Sequence, residues 1–450
     1  ERLIPQMFSN EGPPIISSDL NGDNIPDFFI GSSKNQTSSL FLSDDLSYKE
    51  IIKPFKNHKN SEDIDAVFFD SDNDGDKDLY VSSGGKSFSR YDSNLDDRLY
   101  INEGNGNFKV SNSFISFDKP FSTGAVAVGD YNNDSLLDIF VGERYDVDSY
   151  GIPVSGRLYK NIGGNKYEFV KIKSFDDLGL IKSARWIDLN SDNNLDLIVS
   201  GEWMPIKIFI NINGDFIDKT KEYGLEKSNG LWSDIEVSDI DNDGDADLVA
   251  ANFGQNNFYK PNMKMFVNDF DLNGFKEQII CYEIDGKNYP ILDKDELVAQ
   301  LPGIKKKIVY YEDYSNLSID QIFGKETIEN SVVLNLNILQ SSVFINNNGK
   351  FERTSMPPEV NYSSMYDIEI VEKYKRGIKI VMGGNQYNIK PQFGRQDASK
   401  GYFLNIEISN DSISYSNLES LNIDGQIRNF EFFNLKNIKA IAVGINNEKT

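Results

Sequence analysis

The sequence predicts an all-β chain, a seven-bladed β-propeller of four-stranded units interrupted once by a mixed α/β insertion. Three observations predict it. A nine-residue acidic pattern recurs at near-regular spacing along the 450 residues. Each copy is flanked by short β-branched and aromatic runs bounded by Gly and Asn, the composition of buried strands. Downstream of most copies, an aromatic strand, an Asn/Gly turn and a second strand read as a hairpin.

The acidic pattern is clearest at 70–78, DSDNDGDKD, with aspartate at every odd position. Residues 19–27 read DLNGDNIPD, 130–138 DYNNDSLLD, 188–196 DLNSDNNLD, 239–247 DIDNDGDAD and 269–277 DFDLNGFKE. Positions 1, 3, 5 and 9 carry Asp, Asn or Glu in all six copies. A solvated acidic run has no reason to hold one register six times. Carboxylates this dense repel one another unless a cation neutralises them.

Calcium takes six to eight hard oxygen ligands, and a short loop wraps it with alternate side chains and a backbone carbonyl. On that spacing, positions 1, 3, 5 and 9 supply side chains and position 7 its carbonyl. The first loop offers Asp19, Asn21, Asp23, Ile25 and Asp27, and the second Asp70, Asp72, Asp74, Asp76 and Asp78. The third offers Asp130, Asn132, Asp134, Leu136 and Asp138, and the fourth Asp188, Asn190, Asp192, Asn194 and Asp196. The fifth offers Asp239, Asp241, Asp243, Asp245 and Asp247, and the sixth Asp269, Asp271, Asn273, Phe275 and Glu277. Gly75 and Gly244 stand at position 6, where the chain turns sharply. Position 12 is Ile30 in the first copy and Val81 in the second, so these are not EF-hand loops. The hard-oxygen set disfavours zinc and copper, and the nearly complete protein shell favours Ca²⁺ over magnesium. Five such sites belong to the propeller and a sixth to the insertion.

The first five loops begin at 19, 70, 130, 188 and 239. Apolar runs such as Ala66–Phe69 and Leu79–Val81 bracket them. The hairpin pattern appears as Arg98–Asn102 to Phe108, Arg157–Asn161 to Phe169, Ile208–Asn211 to Phe216 and Val343–Asn346 to Phe351. Two further units keep strands and lose the carboxylates: Lys379 and Lys439 stand where position 9 belongs, as cations in place of the metal. Seven units make a propeller, which is one domain over 1–450. The insertion, 260–338, falls between the fifth and sixth blades. Asp293 and Ser318 begin two short helices there by their capping residues, and Lys305–Lys307 form a solvated face.

Composition closes off other classes. A formal charge of −24 argues against nucleic-acid binding, which needs a basic patch. A single histidine, His58, and a single cysteine, Cys281, leave no internal disulfide and little room for Ser-His, Cys-His or His-metal chemistry. No run of eighteen apolar residues suits a membrane-spanning helix. A chain beginning at Glu1 suggests a processed product.

With these features in place, the chain resembles the FG-GAP/VCBS repeat proteins related to the integrin α-subunit propeller. It is most similar to the cartilage-acidic-protein-like, ASPIC/UnbV-associated proteins of the bacterial cell surface, especially of Bacteroidota. The segments that carry the likeness are EDIDAVFFDSDNDGDKDLYVSSGG (62–85), GEWMPI (201–206), NDFDLNGFKEQIICYEIDGKNYP (268–290), QLPGIKKKI (300–308) and GRQDASKGYFL (394–404). The resemblance implies an exported, calcium-binding propeller, often a lipoprotein or carried by outer-membrane partners, and brings no catalytic residues. Loops one, three and four depart from the acidic ideal with Asn at position 3.

A strand leaving each loop delivers its far end to the opposite face. Arg144, Glu202, Trp203, Asn252, Asn385 and Arg395 are therefore candidates for a polar-aromatic ligand patch near the shaft. The competing reading packs Trp203 between blades and pairs Arg144 with an acid. Glu143 and Glu202 are the one conceivable catalytic carboxylate pair. The expected function is a non-enzymatic protein-binding or scaffold module of a cell-surface or outer-membrane complex. The alternative is a carbohydrate-binding or carbohydrate-active propeller, with glycan in place of the protein partner.

Overall fold

The computed structural model describes residues 3–6, 12–44, 47–111, 120–409, 412–435 and 438–446. Glu1, on which the expectation of processing rests, lies outside them. Among the described residues the chain is all-β and propeller-like, built from small antiparallel sheets. Six ring sheets have at least four strands and the last, Gln426–Leu435 with Ile438–Asn446, has two. An eighth sheet belongs to the insertion.

The innermost strands are Ile15–Ser18, Asp63–Phe69, Ser122–Gly129, Leu180–Ile187, Asp234–Ser238, Met365–Tyr374 and Gln426–Leu435. Each touches the next, and the last touches the first, so they close a ring. Among the described residues no strand ladder runs between these sheets, and inner-edge N–H groups need other acceptors. Side chains supply them. Val126 N donates to Asp65 Oδ2 at 3.0 Å, Ile368 N to Asp234 Oδ2 at 3.4 Å and Phe430 N to Asp367 Oδ2 at 2.5 Å. Ile15 N to Asn429 Oδ1 at 3.2 Å and Ser17 N to Glu431 Oε1 at 3.1 Å close the circle. Apolar clusters fill the spaces between adjacent sheets, as where Leu40, Phe55, Leu79 and Tyr100 join the first two.

The insertion interrupts the fifth sheet instead of separating the fifth unit from the sixth. Asp247–Ala251 pairs with Ser342–Asn346 in register Leu248↔Phe344, so the insertion leaves after the second strand and returns as the third. It contains a four-stranded sheet, Met263–Asn268, Glu277–Ile284, Lys287–Pro290 and Val332–Leu336. Its helices number five among the described residues, not two: Lys294–Gln300, Ile304–Lys307, Tyr311–Ser315, Ile319–Phe323 and Lys325–Glu329. The two expected from the sequence have side-chain caps at Asp293 and Ser318. The other three have no capping side chain, so they leave no start signal.

One face of the insertion sheet is sealed onto the ring. Met263, Met265, Val267, Ile280 and Leu336 pack with Tyr145, Tyr150, Leu180, Trp203, Leu231 and Phe253 in one buried cluster. The other face holds the helices through Phe266, Ile279, Cys281, Leu297 and Ile319. No helix among the described residues is long and apolar enough to cross a membrane.

Candidate metal-binding loops

All six acidic loops follow one backbone path. The residue before each loop pairs with its ninth position: Ser18↔Asp27, Phe69↔Asp78, Gly129↔Asp138, Ile187↔Asp196, Ser238↔Asp247 and Asn268↔Glu277. Positions 4 and 6 are left-handed in every copy, from Gly22 and Asn24 through Asn73 and Gly75 to Leu272 and Gly274. Gly or Asn, the residues that tolerate this region, stand at position 4 in four copies and at position 6 in five, leaving Ser135, Ser191 and Leu272 as the exceptions. Leu272 at φ 61° is a conformation a branched side chain adopts only when its surroundings impose it.

Side chains hold this path. The position-5 oxygen accepts the position-7 N–H in every loop, from Ile25 N to Asp23 at 2.8 Å to Phe275 N to Asn273 at 2.8 Å. Position 1 accepts from the turn as well: Gly75 N reaches Asp70 at 3.0 Å and Ser135 N reaches Asp130 at 2.7 Å. Position 7 varies from Asp76 to Phe275 without altering the course, as suits a residue that presents only its backbone.

The ninth position does more than close a shell. Asp27, Asp78, Asp138, Asp196 and Asp247 are fully buried. One carboxylate oxygen accepts the N–H of position 2, as Leu189 N to Asp196 at 2.9 Å. The other accepts an N–H of the third strand, from Asn102, Asn161, Asn211 or Asn346, each at 2.8 Å. Burial pushes Asp78 and Asp196 up to about 6, and Asp138 and Asp247 up to about 7, against these lowering hydrogen bonds.

The arrangement suits a hard cation. Carboxylate oxygens of Asp70, Asp72 and Asp78 lie within 4.8 Å of one another, as do those of Asp239, Asp241 and Asp247 and those of Asp269, Asp271 and Glu277. Asp72 Oδ1 is buried with no hydrogen-bond partner. An orphaned buried carboxylate oxygen beside two other carboxylates is costly without a cation. In loops one, three and four Asn21, Asn132 and Asn190 replace one carboxylate. In the third, Lys160 Nζ also sits 3.1 Å from Asp134.

Lys379 and Lys439 do not stand in for metal. Tyr374 pairs with Gly377 across a two-residue turn, so the sixth sheet has no nine-residue loop to neutralise. Lys379 Nζ lies 4.6 Å from the centroid of the Phe403 ring. Lys439 pairs in register with Asn434 and is exposed.

The ligand patch expected at the strand ends is not an open surface. Arg144, Glu202, Trp203, Asn252 and Asn385 are each buried to 2 % exposure or less. For Arg144, Glu202 and Trp203 the physical reason is the insertion sheet, which covers the ends of the third and fourth sheets; Asn385 is enclosed instead by Ser363, Ser399 and Gly425. Arg144 pairs with Glu202 at 2.8 Å, and Tyr150 Oη donates to Glu202 Oε2 at 2.6 Å. Trp203 packs edge-on against Tyr259, its backbone left-handed at φ 58°. Asn252 accepts from Phe253 N at 2.8 Å. Asn385 donates to the Ser399 and Gly425 carbonyls at 2.8 and 2.7 Å. Arg395 alone is exposed, stacked on Tyr387 and paired with Asp397 at 3.2 Å. Glu143 is pushed up to about 7, by burial first, with Arg157 opposing. Glu202 is held in its ion pair with Arg144.

The sequence does not reveal the shaft. A cavity of roughly 250 Å³ there is lined by Asp65, Arg185, Asp234, Asp367, Glu369 and Glu431 among others. Arg185 bonds Asp234 at 3.0 Å and Glu236 at 2.8 Å. Charges at alternating strand positions read in sequence as a solvated face, which conceals this lining.

Residues 87–141 and 188–250 match the FG-GAP-like repeat family, so the chain carries FG-GAP-like repeats, the second stretch spanning loops four and five. No curated protein matches the chain. Among solved structures it is similar to Sqt1 of Saccharomyces cerevisiae, at 8% identity and TM-score 0.40 over 97% of both chains. It is also similar to the fucose-specific lectin of Aleuria aurantia, at 12% identity and TM-score 0.32, covering 53% of this chain and 70% of that one.

Proposed function

We propose that the protein is an exported, calcium-binding, seven-bladed β-propeller that serves as a non-catalytic protein-binding or scaffold module in a cell-surface or outer-membrane complex. The carrying observation is the second loop, where three carboxylates converge and Asp72 Oδ1 is left buried without a partner. Positions 1, 3, 5 and 9 of each loop, with the position-7 carbonyl, would hold the ion. Bound Ca²⁺ supplies charge neutralisation and ties each loop to the strand that follows it. FG-GAP-like repeats favour this reading, and so does the resemblance to ASPIC/UnbV-associated cell-surface proteins.

Burial of Trp203 and Glu202 removes the aromatic platform and the free carboxylate on which the carbohydrate reading rested. Calorimetric titration tests the metal assignment: the expected result is several Ca²⁺ bound per chain and a lower melting temperature in EDTA. No heat of binding and no change in melting would sink it. Affinity purification from native membranes, in calcium and then EDTA, tests the scaffold role. A stoichiometric surface protein retained in calcium is expected; recovery of the chain alone would remove the role.

A further inference from the structure

The loops are not isolated from one another around the rim. Asn73, position 4 of the second loop, donates through Nδ2 to the carbonyl of Ser135, position 6 of the third, at 3.1 Å. Asn133, the same position in the third loop, donates to the carbonyl of Asn193 at 3.3 Å and to Asn194 Oδ1 at 3.1 Å in the fourth. Both ends of the two amide-to-carbonyl links, Asn73 to Ser135 and Asn133 to Asn193, are residues held in the left-handed region. A link at those points forms only when both loops have wrapped. A further connection joins the second loop to the third sheet: Asn165 Nδ2 donates to the ligand oxygen Asp72 Oδ2 at 2.9 Å.

The chain of links has defined ends. Position 4 is Gly22 in the first loop, which has no side chain, and Ser191 in the fourth, whose hydroxyl is shorter than an asparagine amide. The fifth loop has Asn242 there, but the sixth sheet turns in two residues and offers no loop to meet it. We propose that cation binding at loops two, three and four is positively coupled through Asn73 and Asn133, a coupling that loops one and five do not share. This rests on the calcium reading. An ion that wraps the third loop fixes the Ser135 carbonyl for Asn73 and sets Asn133 in place for the fourth. By linkage, occupancy of either neighbour favours the third equally.

Calcium titration calorimetry on the full chain tests the coupling. Asp130→Ala disables the third loop, and two of the remaining sites are expected to weaken by about five-fold or more. Asp19→Ala, in the first loop, is expected to remove one site and to weaken the others far less than Asp130→Ala does, because Asn102 meets that loop only at its position-2 carbonyl. In an Asn73→Ala/Asn133→Ala background the Asp130→Ala penalty should vanish. These two asparagines project from exposed turns, so that double variant also serves alone: its binding isotherm should lose steepness relative to the unaltered chain. Calcium bound with unchanged affinities after Asp130→Ala, or an equally steep isotherm without the asparagines, overturns the coupling and spares the calcium assignment. Absence of any calcium binding overturns both.

Discussion

Asn161 Nδ2 donates to the carbonyl of Ser71 at 2.8 Å, joining the third strand of one sheet to the acidic loop of the sheet before it. The same amide reaches Leu137 O at 3.2 Å in its own loop, and its backbone N–H bonds Asp138. Asn102 repeats this with Leu20 O and Asn211 with Tyr131 O. One asparagine in each of these three sheets thus fastens two loops, and the residue is buried each time. Asn161→Ala leaves two buried carbonyls short of a donor, at a cost of about 1–3 kcal/mol. The urea midpoint should fall accordingly, and an unchanged midpoint would show that water replaces the amide.

Trp203 is the anchor between ring and insertion. It is 1 % exposed and packs in the cluster that unites the two. Trp203→Ala should cost about 3–5 kcal/mol, the usual price of an emptied aromatic site. Because the loss falls on one seam, limited proteolysis should cut within 260–338 before it cuts the ring. Uniform cleavage along the chain would mean that insertion and ring unfold as one.

Glu202 carries a different cost. It meets the Arg144 guanidinium in a site from which water is excluded. Glu202→Gln keeps the shape and removes the charge, leaving Arg144 inadequately compensated, so about 3 kcal/mol of stability should be lost. A variant as stable as the parent in denaturant titration would show that other groups already balance Arg144.

The loops are legible because their oxygen-bearing side chains keep a fixed spacing, i, i+2, i+4 and i+8, that survives substitution at every other position. Leu272 shows the limit: its left-handed backbone follows from the path, and nothing in a leucine announces it. The same applies to Arg144 and Glu202. Their strand-end placement was readable, but whether the surface there is open depends on a sheet that begins over a hundred residues after Arg144. The interrupted fifth sheet was hidden because Val343–Asn346 carries the same strand–Asn pattern whichever partner it pairs with. Asp65 and Glu431 carry no signal of their role for another reason. Alternating acids suggest a wet face, yet here they accept N–H groups from neighbouring inner strands.

That lining has a pH consequence. Glu369 is pushed up to about 8, first by burial, then by Glu236 and Asp234, with Arg185 opposing and Glu431 adding to the repulsion. An unfolded glutamate titrates near 4.3. Between these values the folded chain keeps a proton that the unfolded chain releases, so stability falls as pH rises from about 4.3 to about 8. Below that window both states are protonated and the effect vanishes; above it the loss is complete. Glu369→Gln cannot ionise, and its stability should decline less over the same range. Urea midpoints at one fixed calcium concentration should therefore lie close together at pH 5 and favour the variant at pH 9. Parallel curves for the two proteins would mean that Glu369 is ionised in the folded shaft throughout, with Arg185 as its counter-charge.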